Sequence, residues 1–355
     1  MDAIQLKCPN CGGEVTFQPG SQSFECPYCL SKFTETEVNS FNGQNKNTPA
    51  GNSGVADNTM QADFNAHSNL YVCNSCGAQI ITDENTVATF CYYCHNPVAL
   101  SGRLSGQYRP GKVIPFKHTK EQALGIYKEW CSKKWFLPSD WVSESQLEKV
   151  TGLYVPFWLA DSKVRAYFHG EGNVVHSHVR GDYRITTTEV FNVVREAQME
   201  YFRMPADGSQ KLDDRLMDAI EPFNYADLID FNSAYLSGFY ADKYDVNKDA
   251  VLGRIYDRIN TGAQQLLREN TGRYSSINTI NQNTMLTKVD WEYALLPVWF
   301  MTYDHGGKKY FFAMNGQTGK IAGILPVSVP KLMALFAGLF VGVGIIAGLI
   351  GGLML

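Results

Sequence analysis

Tyr154-Val-Pro-Phe-Trp158 is the segment that says most about the fold, because aromatic and β-branched residues surround its proline and continue beyond it. Leu296-Pro-Val-Trp-Phe300 repeats this arrangement of apolar residues around a proline and a tryptophan. Strand-like sequence follows each copy, and glycines predict turns at Gly170–Gly172 and at Asn315-Gly316. We interpret the two copies as a duplicated β unit. The alternative is that proline and tryptophan recur by chance in an aromatic-rich chain.

Helical patterns lie among these strands, and we interpret residues 111–328 as one α+β central domain. Thr119 and Gln122 match a capping box and predict a helix that ends near Phe136. An amphipathic helix is predicted over residues 246–269, where apolar residues recur at helical spacing.

Eight of the nine cysteines form CxxC pairs, in two sets with the same internal spacing. The sets are Cys8, Cys11, Cys26 and Cys29, and Cys73, Cys76, Cys91 and Cys94. Four thiolates in a tetrahedral arrangement select zinc, or iron in rubredoxin-type sites. The spacing therefore predicts two zinc ribbons, over residues 5–34 and 70–96, with one Zn²⁺ each and two ions in all. Redox-active CxxC pairs are the competing interpretation.

The stretch between the ribbons, residues 35–69, is rich in Asn, Gln, Ser, Thr and Gly and has few apolar positions. Such a segment cannot bury enough apolar surface to offset the entropy lost on ordering, so we predict a flexible linker. Cysteines used as metal ligands are typical of a reducing compartment.

The C-terminal residues 332–355 carry no charge and almost no polar group. A helix of about 20 apolar residues crosses the hydrocarbon core of a bilayer, so we predict a transmembrane helix rather than a buried core helix. Lys320 and Lys331 precede it, and the positive-inside rule predicts a single-pass, tail-anchored protein of the cell membrane with cytoplasmic N-terminal domains. Small-residue spacing favours association of membrane helices, or else merely reflects the frequency of glycine in such helices. The glycines are Gly338, Gly342, Gly344 and Gly348.

The predicted fold class is therefore α+β: two small zinc ribbons, a β-rich central domain with a duplicated β unit and packed helices, and one C-terminal transmembrane helix. A formal net charge of -4 argues against a protein whose main task is to bind nucleic-acid phosphates. Residues 70–96 contain no Lys or Arg. The sequence has no nucleophile elbow, phosphate-binding glycine loop or paired-carboxylate motif, so we do not expect an enzyme.

The ribbons resemble those of transcription factor IIB, RNA polymerase small subunits and the replication-restart helicase, but no ATP-binding glycine-lysine loop follows them. The whole arrangement is more informative: paired ribbons, a polar linker, Val-Ile-Pro-Phe before a helix that ends in Trp-Phe-Leu-Pro, the Tyr154–Trp158 segment and an apolar C-terminus. It resembles bacterial tail-anchored double zinc-ribbon membrane proteins encoded beside phage-shock protein A and flotillin-like proteins in envelope-stress operons.

This resemblance implies a membrane-anchored adaptor or scaffold that recruits protein partners to the cytoplasmic membrane surface in the envelope stress response. The implied partners are phage-shock protein A-like or flotillin-like proteins and a related membrane protein, in a homo- or hetero-oligomer. The alternative is a membrane-tethered nucleic-acid-binding protein, for which Tyr28, Tyr92 and Tyr93 offer stacking surfaces. Because the ribbons carry little positive charge, we consider nucleic-acid binding the weaker hypothesis.

Overall fold

The computed structural model describes most of the chain as two β-sheets with five α-helices among the described residues. These residues are 6–43, 68–72, 79–83, 89–90, 97–103, 109–138, 141, 150–269, 272–305 and 308–353.

Residues 6–43, the N-terminal module, form a four-stranded antiparallel sheet and a helix. In the order of pairing, the strands are β1 (Leu6–Lys7), β2 (Glu14–Gln18), β3 (Ser23–Glu25) and β4 (Lys32–Phe33). Helix α1 (Glu35–Gly43) starts at a capping box, in which Thr34 N–H donates to Glu37 Oε2 at 2.8 Å and Glu37 N–H donates to Thr34 Oγ1 at 3.4 Å. Helix α1 occupies the beginning of the predicted linker, and residues 44–67 lie outside the described residues.

A twelve-stranded sheet makes up most of the remaining described chain. Its strands are β5 (Ser68–Val72), β6 (Gln79–Asp83), β7 (Thr89–Phe90), β8 (Pro97–Arg103), β9 (Lys112–Val113), β10 (Thr151–Arg180), β11 (Tyr183–Asp207), β12 (Ile229–Asp230), β13 (Tyr240–Asp242), β14 (Ser276–His305), β15 (Lys308–Asn315) and β16 (Ile321–Gly323). The main order is β12-β9-β14-β10-β13-β6-β5-β8-β7, with β11 on β10 and β15 and β16 beside β14. Its pairs are antiparallel except β10 with β13 and β14 with β9.

Four helices accompany the large sheet: α2 (Lys120–Ser132), α3 (Asp214–Ala219), α4 (Lys248–Arg268) and α5 (Val329–Leu353). The predicted capping box of Thr119 and Gln122 is present at the start of α2. Helix α4 confirms the amphipathic helix predicted over residues 246–269.

The two proline-tryptophan segments are neighbours in the large sheet. Tyr154 lies opposite Pro297, and Val155 lies opposite Leu296, in the antiparallel pairing of β10 with β14. The segments therefore meet at the centre of one sheet, where Tyr154, Val155 and Leu296 are buried.

The turn predicted at Gly170–Gly172 does not form, because β10 continues to Arg180 and turns at Gly181 and Asp182. A Cβ on Gly172 would lie 2.6 Å from the ring of Tyr274, and one on Gly170 would lie 2.6 Å from the carbonyl oxygen of Asn278. These glycines allow close packing within a strand rather than a reversal of the chain.

A three-stranded arm extends from the sheet and consists of residues 162–180 of β10, 183–201 of β11 and 276–289 of β14. Helix α4 packs on one face of its base, and its buried apolar residues recur three to four positions apart. They are Val251, Ile255, Ile259, Ala263 and Leu267. Ile255 and Ile259 pack with Val164, and Ala263 packs with Phe168.

The α+β fold-class prediction was wrong. Strands as long as β10, with 30 residues, and β14, with 30, dominate the described chain, and the structure is β-rich with one large sheet. The two repeated segments pair with each other, so the strands that contain them belong to this one sheet.

The predicted transmembrane helix, and with it the single-pass membrane location, is also corrected. Within the described part of the chain, no helix is both long enough and apolar enough to span a bilayer.

Candidate metal centre

Four cysteines of the N-terminal module meet at one point. Their Sγ atoms all lie within 4.8 Å of one another. The Cys8 and Cys29 sulfurs are 3.6 Å apart, and those of Cys11 and Cys26 are 3.5 Å apart. Each of these short distances joins one cysteine from the first CxxC pair to one from the second, so the cluster brings the two pairs together.

This arrangement fits a metal ion. Sulfurs at the corners of a tetrahedron with metal–sulfur bonds of about 2.3 Å are about 3.8 Å apart, close to the two short distances. Cys8 and Cys26 are buried, while Cys11 is exposed and Cys29 intermediate, so the group lies at the module surface. Four sulfur ligands complete a tetrahedral shell, and a cation held there keeps no position open for water or substrate.

Two turns with matching backbone geometry supply the ligands. Gly12 N–H donates to Cys8 O at 2.9 Å, and Leu30 N–H donates to Cys26 O at 2.8 Å. Gly12 has φ 76° and Leu30 has φ 58°, both in the left-handed region. Glycine adopts this conformation readily, whereas a leucine there costs about 1–2 kcal/mol. The second turn therefore holds a strained, bulky residue where the first has glycine.

The groups around the sulfurs shift the pKa values of the Cys29 and Cys11 thiols in opposite directions. Cys29 Sγ lies 3.3 Å from Ser31 Oγ, and hydrogen bonds from the side chain and backbone of Ser31 lower the pKa of the Cys29 thiol to about 6. The Gly13 backbone lowers the pKa of Cys11, but hydrogen bonding with Cys29 and Cys26 outweighs this and raises that pKa to about 12. A cation bound by these sulfurs would displace the thiol protons.

An aromatic cluster attaches the N-terminal module to the large domain. The rings of Phe17 and Phe24 lie 5.3 Å apart, and each packs on Tyr235, at 5.1 Å and 5.9 Å between centroids. Phe17 and Phe24 lie on β2 and β3, the strands between the two cysteine pairs. The metal ligands and the contact with the large domain therefore depend on the same two strands.

Hydrogen bonds reinforce this attachment. Ser237 Oγ donates to Val15 O at 2.6 Å. Glu35 accepts hydrogen bonds from Tyr235 OH at 2.7 Å and from Asn232 Nδ2 at 2.8 Å. Residues 232–237 were not predicted as part of the site, because the sequence has no local signal for contacts between such distant positions.

The side chains that flank Cys29 point into solvent. Tyr28 is 73% exposed and Leu30 is 71% exposed. The two residues give the second cysteine turn an apolar surface next to the metal ligands.

The second predicted ligand set, Cys73, Cys76, Cys91 and Cys94, lies outside the described residues. The strands around it are described in part, and they join the large sheet, where Ile81 of β6 lies opposite Ala241 of β13. Tyr71 of β5 is fully buried in a cluster with Leu153 and Ile114.

The glycines proposed for helix association lie on α5. A Cβ built on Gly338, Gly342 or Gly344 would have no atom within 4 Å among the described residues. Gly348 lies beyond the described side chains.

Comparison with known proteins identifies a relative along nearly the whole chain. Over 337 residues, the chain is 33% identical to the Bacillus subtilis (strain 168) protein YdjG, described as an uncharacterized protein, and the match covers 95% of this chain and 94% of YdjG. No family model matches the chain, and no solved structure matches it.

Proposed function

The chain belongs to the same family as YdjG, and on this premise we propose that it is a non-enzymatic scaffold that recruits protein partners through a zinc-stabilised N-terminal module. Zn²⁺ bound by Cys8, Cys11, Cys26 and Cys29 would hold this module folded on the large domain. The equal spacing of the second cysteine set supports a second Zn²⁺ at Cys73, Cys76, Cys91 and Cys94.

The observation that carries this proposal is the exposed apolar surface on the second cysteine turn. Leu30 is held in a left-handed conformation that glycine would adopt at lower cost, and its side chain lies in solvent. A strained residue whose side chain contributes nothing to the core is a candidate for a binding role. Exposed Tyr28 beside it is of the type that often anchors protein interfaces.

Charge favours a protein partner over a nucleic acid. Residues 6–43 contain two Lys, no Arg and four Glu, so the module is acidic. Nucleic-acid binding draws most of its affinity from neutralising phosphates with Lys and Arg, and this surface cannot supply that charge. Salt-sensitive binding of nucleic acid remains the alternative outcome of the test below.

The ligand set supports a structural metal rather than a catalytic one. Catalytic zinc sites in proteins keep one position for water or substrate, whereas four thiolates fill the shell. A module of this size has a small core, so the free energy of metal binding contributes directly to its folding. The chain's own residues orient the site, through the backbone of both cysteine turns and the contacts of β2 and β3 with Tyr235.

The resemblance of the whole sequence arrangement names the candidate partners: phage-shock protein A-like and flotillin-like proteins, and a related membrane protein. These classes are the ones to score in a recruitment experiment, and their recovery would support the scaffold function in the envelope stress response.

The test is affinity purification of the tagged, full-length protein after mild crosslinking, with co-purifying proteins quantified by mass spectrometry. We expect the combined change Tyr28→Ala and Leu30→Ala to reduce recovery of a candidate partner at least about tenfold. Trp135→Ala is the matched control, because Trp135 is an exposed aromatic residue far in sequence from the four cysteines of the metal cluster.

Zinc content of each purified variant separates loss of the surface from loss of the fold. Equal recovery with the double variant would refute recruitment by this surface. Recovery of nucleic acid in place of protein, reduced by the same variant, would establish the nucleic-acid alternative.

A further inference from the structure

The outer edge of β11 is a long strand edge. Along the arm β11 pairs with β10, and among the described strands it pairs with no other. Its residues from Tyr183 to Asn192 are all exposed. An edge of this length presents a row of backbone donors and acceptors to any strand that fits it.

The pairing of β10 fixes which backbone groups of β11 face outward. On the β14 side of β10, Asn173 O accepts from Ser275 N at 2.7 Å, and Val175 N donates to Ser275 Oγ at 3.1 Å. The backbone hydrogen-bonding groups of Asn173 and Val175 therefore point away from β11. In an antiparallel pair, the backbone N–H and C=O groups of two opposite residues either point to each other or both point away. Val190 lies opposite Asn173, so its N–H and C=O point to the free edge of β11. By alternation, so do the other even-numbered residues of β11 from Arg184 to Glu200, before the register shift between β10 and β11.

We propose that this edge pairs with the same edge of a second copy of the chain, antiparallel and centred on Asn192, to form a homodimer with a continuous sheet. A two-fold axis at Asn192 sets residues at equal distances before and after it opposite each other. Even-numbered residues then meet even-numbered residues, which is the match that the outward hydrogen-bonding groups require.

Charge complementarity selects this register. Glu189 falls opposite Arg195 of the partner subunit, and Arg184 falls opposite Glu200 of the partner subunit, and symmetry repeats both pairs. Opposite charges at facing positions stabilise antiparallel pairs. Registers centred one residue away, on Phe191 or on Val193, set Glu189 opposite Val193 or Ala197 and lose this match.

Exposed apolar side chains at the tip of the arm also gain neighbours. Val190, 61% exposed, falls opposite Val194 of the partner subunit, and Tyr183, 77% exposed, falls opposite Tyr201 of the partner subunit. In each copy Tyr201 packs beside the apolar cluster under α4. The tip of one arm thus lies along the helix-covered base of the other.

The position of α4 is compatible with this packing. The helix covers the base of the arm, where Val164 and Phe168 contact its apolar face, and the tip beyond Gly172 carries no described helix. Since the two arms run in opposite directions, each helix lies beside a helix-free tip. The dimer contacts involve no residue of the N-terminal module, so they are independent of the proposed recruitment function.

Disulfide trapping of the full-length protein tests the register. Asn192→Cys sets two cysteines opposite each other at about 5.5 Å between Cα atoms, within reach of a disulfide. Thr188→Cys, on the same edge, separates its two copies by about 27 Å at 3.4 Å per residue. We expect mild oxidation to link the Asn192→Cys protein into dimers on non-reducing gels and to leave the Thr188→Cys and wild-type proteins unlinked. Equal linking of both variants, or of neither, would overturn the proposal.

Charge reversal tests the pairing without oxidation. Glu189→Arg should raise the dimer dissociation constant about tenfold, because two attractive cross-strand pairs become repulsive. Arg195→Glu should act alike, and the double variant should return to within about threefold of wild type. Light scattering after size exclusion measures these constants, and circular dichroism shows that the monomer fold is kept. A monomeric wild-type protein at high concentration, or a double variant as weak as the single ones, would refute the dimer.

Discussion

The hydroxyl of Ser237 donates a 2.6 Å hydrogen bond to the backbone carbonyl of Val15, and so joins two buried residues that are 222 positions apart in the chain. Val15 lies on β2 between the two cysteine pairs, and Ser237 precedes β13 of the large sheet. This bond connects the folding of the N-terminal module directly to the large domain.

Removal of this hydroxyl should destabilise the protein. Ser237→Ala leaves the Val15 carbonyl buried without its partner, which costs about 1–3 kcal/mol of unfolding free energy. Denaturant titration of the zinc-loaded protein measures this loss. Ser21→Ala is the control, since Ser21 is exposed and bonds only to Ser23 among the described contacts, so this substitution should change the unfolding free energy by less than about 0.5 kcal/mol. Equal stability of Ser237→Ala and wild type would contradict the role assigned to the bond.

Replacement of Leu30 by glycine should stabilise the N-terminal module. Glycine adopts a φ of 58° without the steric cost that leucine bears, which raises the unfolding free energy by about 1 kcal/mol. The greater conformational entropy of glycine in the unfolded chain offsets part of this gain. Leu30→Ala is the matched control, because alanine loses the apolar side chain and keeps the strain. Thermal unfolding should rank Leu30→Gly above Leu30→Ala. The reverse order would show that the leucine side chain itself stabilises the turn.

Loss of one thiolate should remove one metal ion. Cys26→Ser leaves three sulfurs in the first cluster, so zinc per chain should fall by one ion relative to wild type, and β2 amides should exchange hydrogen faster. Cys131→Ser is the control, because Cys131 is a buried cysteine far from the cluster in sequence. Metal analysis and hydrogen exchange of the whole protein provide both readouts. Unchanged zinc in Cys26→Ser would refute the site.

Asp207 should make stability fall as pH rises through the acid range. Burial raises the pKa of its carboxyl from 3.8 to about 6, although Arg254 at 3.0 Å opposes this shift. The folded protein then holds a proton that the unfolded chain has already released between these pH values. Stability from this group is therefore greatest below pH 4 and decreases until about pH 6, by about 1–3 kcal/mol.

The measurement is the difference in unfolding free energy between Asp207→Asn and wild type from pH 4 to pH 8. The asparagine variant should become relatively more stable as pH rises to about 6 and then stay level. A flat difference for Asp207→Asn would contradict the raised pKa.

Local patterns predicted local structure well. The spacing of the first four cysteines predicted their convergence, since two CxxC turns joined by a hairpin bring four sulfurs together. Thr119 and Gln122 predicted the start of α2, because a capping box depends only on neighbouring residues.

Predictions failed where distant residues decide the outcome. Gly170 and Gly172 indicated a turn, but their strand continues because β14 and Tyr274 pack closely against these positions. The attachment of the N-terminal module to residues 232–237 depends on ring packing and hydrogen bonds between far-separated positions, which periodicity cannot show. The apolar C-terminal segment predicted a membrane span from composition, and the described helix does not support it.

Strand β13 has a mechanical consequence. It is three residues long and joins β6 to β10, with two facing positions on each side. By contrast, β10 and β11 face each other from Phe157 to Arg180. Force applied between the described strand β6 and the arm would therefore act first on the pairing of β13, and the sheet should separate there while the arm stays intact.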